Sequence, residues 1–425
     1  MTPSYRIRRL DGGENVRPRK GSQHIIYWMV AGRRPHFNFA LQRAVELAGE
    51  WGLPLIVFEP LRIGYQHASD RLHRFVIEGM RDHDEYFAEQ GITYFPYVER
   101  VDGEGKGLLR AFVEDAAAVV TDDYPCFFLP TMIEAAANTL DVWLECVDNN
   151  GIYPMHDAER HFTRAHSFRR HLQKRLPEFL ADQPSPEPAS DYEGELATLP
   201  AAIKKWKSAH DLFDADASLG DLHIDHSVRP VSLQGGWRAA EKALQDFVDT
   251  RLTEYGQSRN HPDKHSASGL SPWLHFGHLG SAQVLDAIIR AEKWTPERIG
   301  KVNGSREGWW GMSESSEAYL DQFITWREIG FNACITLENY AAYDSLPDWA
   351  RKTLAEHAAD PRDEYTLSVL ENAETDDDIW NAAQRELTRH GVMQNYLRML
   401  WGKKILQWSA TPQVAAERMV YLNDK

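Results

Sequence analysis

The sequence predicts an α/β protein in two parts: a doubly wound parallel sheet, then an all-α domain. Three observations predict it. Short β-rich runs alternate with helical segments up to about residue 151, and a proline-rich connector follows at 183–190. Beyond residue 201 helical patterns continue without convincing strand alternation. The 425 residues exceed one ordinary core, so two or more domains are expected.

Residues 1–23 read as an irregular leader of arginines, glycines and prolines. Strands are predicted at 24–30, 54–61, 92–98, 117–122 and 142–147. Segments 35–51, 69–90, 107–115 and 131–139 have the length and apolar spacing of crossover helices. The sheet domain is thus drawn over 24–180, with a ligand crevice expected at the carboxyl ends of its strands. No Gly-x-Gly-x-x-Gly follows the first strand, and Gly12-Gly13 precedes it, so neither NAD nor ATP chemistry is expected. Gln183-Pro184-Ser185-Pro186-Glu187-Pro188-Ala189-Ser190 reads as an exposed linker, drawn over 181–200, and the helical domain as 201–425.

Composition narrows the class. No run of eighteen apolar residues and no signal-peptide pattern occurs, which points to a cytoplasmic protein without a membrane partner. Cys126, Cys146 and Cys334 are scattered without ligand spacing, so neither a disulfide framework nor a metal site is expected. A net charge of −16 opposes nucleic-acid binding by the molecule as a whole. Local charge differs: Arg259, Lys264, Arg385, Arg389, Lys403 and Lys404 would make a cationic rim around one face, or else a scatter of solvated charges.

Three motifs could carry chemistry. Residues 391–408 read as one amphipathic helix, on which Trp401 and Trp408 share a stripe with Cα atoms roughly 10 Å apart. Trp380 precedes Trp401 by twenty-one residues. By residues alone the stripe reads as core packing. The second motif, Tyr255 to Asn260 and Ser266 to Gly277, contains a small hydroxyl-rich loop. There Ser268, Gly269 and Ser271 could hold an anion, or Ser271 could simply begin a helix at Pro272. The third is Thr325-Trp326-Arg327-Glu328-Ile329-Gly330-Phe331-Asn332.

Trp380-Asn381-Ala382-Ala383-Gln384-Arg385-Glu386-Leu387, the segment from Leu397 to Trp408, and Tyr421-Leu422-Asn423-Asp424 closely resemble the class II cyclobutane-pyrimidine-dimer DNA photolyases. The resemblance implies an FAD-binding catalytic domain in the C-terminal half. It implies an enzyme, a deoxyribodipyrimidine photo-lyase, that repairs cyclobutane dimers in double-stranded DNA by electron transfer from photoexcited, reduced, anionic FAD. Cofactor contacts carried over by the same likeness fall on Tyr255, Ser268, Gly269, Leu270, Ser271, Arg398 and Asn423, the last facing flavin N5. DNA contacts fall on Arg259, Glu328, Lys403 and Lys404. Glu328 would reach the dimer, Met399 would pack under it, and Trp401, Trp380 and Trp408 would be proximal, intermediate and solvent-near members of an electron relay. The sheet-domain crevice could take a second, antenna chromophore, with a deazaflavin, another flavin, a folate or none left open, and no obligate protein partner is implied.

Family members continue past the segment matching Tyr421 to Asp424, so the chain reads as C-terminally truncated, with Arg398 left unpaired. The alternative is a cryptochrome-like blue-light photoreceptor without repair activity, and a third reading is a flavin enzyme that turns over in the dark.

Overall fold

The computed structural model describes residues 1–10 and 21–425, so the Gly12-Gly13 pair lies outside the described residues. A six-stranded sheet has the order β1-β6-β5-β2-β3-β4, with strands Ile7–Arg9, Trp143–Val147, Ala116–Asp122, His24–Trp28, Leu55–Leu61 and Thr93–Val98 respectively. All neighbours are parallel except β1, which pairs antiparallel with β6 in the register Ile7 to Val147. The predicted leader therefore contains an edge strand.

Strands β2 and β5 are buried along their whole length, as expected where helices cover both faces of a parallel sheet. Alternate residues feed opposite cores. Ile25, Tyr27, Val57, Ala118 and Val120 pack with the helix Phe39–Trp51, while Ile26, Trp28, Ile56, Phe58 and Val119 pack with the helices Leu108–Val113 and Leu129–Thr139. The fourth predicted crossover helix is Asp70–Glu89.

Strand order reverses between β2 and β5, and their carboxyl ends define the crevice. It is closed by the protein's own carboxylate. Asp122 Oδ2 accepts from the amides of Val30, Ala31 and Gly32 at 3.0, 2.8 and 2.9 Å, and Oδ1 accepts from the Tyr27 hydroxyl at 2.9 Å. A phosphate thus finds no free amide cradle after β2.

Two domain boundaries differ from the sequence reading. Ile152, Tyr153, Phe162, Phe168, Leu172 and Phe179 join the helical-domain core, so 152–180 belongs there and not to the sheet. Conversely, Ile203, Trp206, Leu212 and Leu222 pack against the sheet side, so the helical domain proper begins near the helix Trp237–Asp246. Nor is the proline-rich connector exposed throughout: Pro188 and Ala189 are buried and Pro186 O accepts from Phe37 N at 3.3 Å. Apolar residues spaced through 197–222 dock it onto the sheet domain. No described helix is long and apolar enough to cross a membrane.

Replacing Asp122 by Ala leaves three amides without their acceptor, at about 1–3 kcal/mol for each that stays dry. Urea unfolding is expected to show a loss of roughly 3 kcal/mol or more. A loss under about 1 kcal/mol would mean that water replaces the carboxylate.

Candidate active site

Three helices, Asp378–His390, Asn395–Gln407 and Pro412–Asp424, form a C-terminal unit with its own core. Each starts on a side-chain cap. Asp377 accepts from Trp380 N, Gln394 from Tyr396 N and Leu397 N, and Thr411 from Val414 N. The predicted helix over 391–408 is shorter at its start because Gly391, at φ 72°, ends the preceding helix and Gln394 begins the next.

The three tryptophans meet inside this unit. Trp380 is 0% exposed, and Trp401 and Trp408 are each 5% exposed. Trp380 and Trp401 lie parallel with centroids 6.4 Å apart, while Trp408 meets Trp380 edge-on at 5.5 Å. Trp380 is the middle ring. Its Nε1 donates to Trp401 O at 3.1 Å, and Trp401 Nε1 donates to Gln384 Oε1 at 2.8 Å, so both indoles are fixed and their buried N–H groups satisfied.

Trp408, expected near solvent, lies beneath one further ring. Tyr365 covers it edge-on at 5.1 Å, and the Lys404 ammonium lies 5.1 Å from its ring. Tyr365 is half-buried, and its hydroxyl donates to Asp376 Oδ2 at 2.8 Å. The aromatic path thus reaches the surface one ring later. Sequence reading missed Tyr365 because it lies on a loop segment with no periodic relation to the tryptophans.

Arg398 and Met399 face solvent, Met399 with 56% of its surface exposed. Arg398 Nη1 donates to Asn423 Oδ1 at 3.1 Å, so the expected unpaired arginine has a partner. Lys403 is exposed, whereas Lys404 is half-buried and ion-paired to Asp377 Oδ2 at 3.3 Å. Of these two lysines, Lys403 is the one free for a phosphate backbone. Arg389 and Lys264 are exposed, and the Arg385 guanidinium donates to Ala373 O at 3.2 Å.

The hydroxyl-rich loop is tied to the same unit. Gln394, at the start of the Trp401 helix, donates through Nε2 to Arg259 O at 2.8 Å. Tyr255 is buried edge-on to Tyr319 at 5.1 Å, with the Arg259 guanidinium 5.6 Å from its ring. Ser268 Oγ accepts from Leu270 N at 3.5 Å, and Leu270 anchors the loop in the helical core. Gly269 and Ser271 remain exposed.

Glu328 lies at the seam between the helical domain and the strip leaving β6. It is 4% exposed on the helix Arg327–Thr336, and its two carboxylate oxygens accept from Ile152 N at 2.7 Å and Tyr153 N at 3.1 Å. Both oxygens are engaged within the protein, so Glu328 joins the helical domain to the strip leaving β6. A Cβ on Gly151 would fall 2.8 Å from the Glu328 carboxyl carbon, so a side chain there would displace the carboxyl from this position. Burial pushes the carboxyl up to about 7, against the opposing pull of the two amides and Arg327. Arg327 itself reaches Asn150 O at 2.9 Å and Ser281 Oγ at 3.0 Å.

The protein is 32% identical to a deoxyribodipyrimidine photo-lyase of Methanothermobacter thermautotrophicus over 438 aligned positions, covering 100% of this chain and 86% of that one. The chain belongs to the deoxyribodipyrimidine photo-lyase family. A photo-lyase of Potorous tridactylus is 31% identical over 95% of this chain and 71% of its own length. No family model matches. The fold is that of a class III photolyase from Agrobacterium tumefaciens, at TM-score 0.63 and 18% identity over 95% of this chain and 80% of that one. A Synechocystis cryptochrome gives 0.60 at 14% identity, covering 94% and 82%.

Because the folded state holds Glu328 protonated more readily than the unfolded chain does, its stabilising contribution is full below about pH 4.5 and declines as pH rises through about 7. Glu328→Gln is expected to flatten the stability profile over this window by roughly 3 kcal/mol. Urea midpoints for both proteins across it check this, and parallel profiles would contradict it.

Proposed function

We propose that this chain is a class II photolyase that removes cyclobutane pyrimidine dimers from DNA in light. The unbroken contact of Trp401, Trp380 and Trp408 is the observation that carries this reading, because packing alone needs no redox-active ring at every position. The photo-lyase relatives support the same assignment.

The residues beside the tryptophans fit FAD by their donor chemistry. Arg398 offers a cation and Asn423 a carboxamide, and on the segment that Gln394 ties to this unit Ser268, Gly269 and Ser271 would offer hydroxyls and backbone amides to a pyrophosphate. These residues would hold FAD, which in reduced, anionic form would supply the photoexcited electron for opening the dimer. Arg398 would balance the negative charge of a reduced flavin, and the Asn423 carboxamide could donate to or accept from a flavin nitrogen as its protonation required. Trp401, Trp380 and Trp408 conduct electrons inward from the surface for activation. Tyr365 extends that path, with Asp376 placed to take the phenolic proton when the tyrosine gives up an electron.

Exposed Met399 provides a soft apolar surface for an extruded lesion, while Arg259 and Lys403 hold the phosphate backbone. Glu328 is assigned to the seam between the domains.

Incubation of FAD-loaded protein with dimer-containing duplex DNA tests the reading. Dimers should disappear under blue or near-ultraviolet light and persist in the dark. Binding of FAD with dimers persisting in light would favour a photoreceptor, and loss in the dark a different enzyme. Lys403→Ala is expected to lower the slope of log affinity against log salt by about 1, measured by fluorescence anisotropy. An unchanged slope would remove Lys403 from the interface.

A further inference from the structure

Cys126 and Cys334 are 208 residues apart in sequence, yet their sulfurs are 3.4 Å apart. Cys126 lies on the loop leaving β5 and Cys334 on the helix Arg327–Thr336, so the pair bridges the sheet and helical domains. Both are partly exposed, whereas Cys146 is buried in β6. Their surroundings hold them together. Tyr124 packs edge-on to Phe331 at 6.0 Å, and Phe127 N donates to the Tyr340 hydroxyl at 2.9 Å, clamping the loop from both sides. A disulfide needs about 2.05 Å between sulfurs, so closure requires a shift of roughly 1.3 Å.

We propose that Cys126 and Cys334 form a reversible dithiol switch that closes to a disulfide under peroxide and staples the two domains together. Cys334 is the attacking thiol, because the Cys126 S–H donates to its sulfur and favours the thiolate. Its thiolate attacks one peroxide oxygen, the O–O bond breaks, and hydroxide leaves with a sulfenic acid formed at Cys334. Cys126 then loses its proton and attacks that sulfur, forming S–S as the S–O bond breaks and water departs. Two thiols surrender two electrons and two protons, and one hydrogen peroxide becomes two waters. A small-molecule thiol reverses the change.

The staple would act on the seam itself. The helix that carries Cys334 also carries Arg327 and Glu328, which grip the strip 150–153. Oxidation would thereby fix the helical domain against the sheet domain beside the candidate site.

The full-length protein is treated with graded hydrogen peroxide, denatured, and its thiols counted with a maleimide. The expected count falls from three to one, with Cys146 the survivor, and returns to three with dithiothreitol. Peptide mapping should find Cys126 joined to Cys334, and Cys126→Ser should instead leave a dimedone-reactive sulfenic acid at Cys334. Three thiols persisting at every dose would overturn the proposal. So would oxidation of Cys334 beyond sulfenic acid with Cys126 still free in the wild type, or pairing between molecules.

Discussion

A single buried ring, that of Trp380, constrains the C-terminal unit. Its indole must stack on Trp401, meet the edge of Trp408 and donate to the Trp401 carbonyl, all without contact with water. Those demands fix how the helices Asp378–His390 and Asn395–Gln407 cross, since a shift of either by one turn would separate the rings by about 5 Å. The same contacts that exclude water keep the aromatic rings close enough to exchange electrons. Stability and the proposed charge transfer would thus select the same arrangement, and Arg398 and Asn423 are left exposed.

A second constraint lies at the seam. The strip 148–153, leaving β6, is gripped by Arg6 from the turn just before the edge strand, by Arg34 from the loop after β2, and by Arg327 and Glu328 from the helical domain. Buried charge is tolerated here because the carbonyls of residues 149–152 accept from arginines and the amides of Ile152 and Tyr153 donate to Glu328. The Arg34 guanidinium also reaches Gly277 O at 3.2 Å, so the seam connects directly to the turn following the helix Ser271–Phe276. The hydroxyl-rich loop, the seam and the indole unit are therefore one connected framework.

Much of this was legible in the sequence, for identifiable reasons. The five parallel strands were readable to within a residue or two because burial on both faces demands continuous apolar runs. Strand β1 was not, since Ile7-Arg8-Arg9 carries one apolar residue and exists as a strand only through its pairing with β6. The mutual contact of Trp380, Trp401 and Trp408 was anticipated, but the burial of Trp408 beneath Tyr365 was not, because that contact comes from a distant loop. Glu328 shows the clearest limit. A carboxylate in the sequence says nothing about amides 175 residues away, and it was those amides that decided where its oxygens point. The closeness of Cys126 and Cys334 was hidden for the same reason.

The indole relay is tested most directly by following the light-driven reduction of bound, oxidised FAD in the wild type and in Trp380→Phe with an external electron donor present. Phenylalanine preserves an aromatic filler but cannot be oxidised as indole can. The variant should take up FAD normally and, once chemically reduced, remove dimers normally, while its photoreduction slows by an order of magnitude or more. Photoreduction at the wild-type rate would show that electrons reach the cofactor by another route, and that these three tryptophans are a hydrophobic core and nothing further.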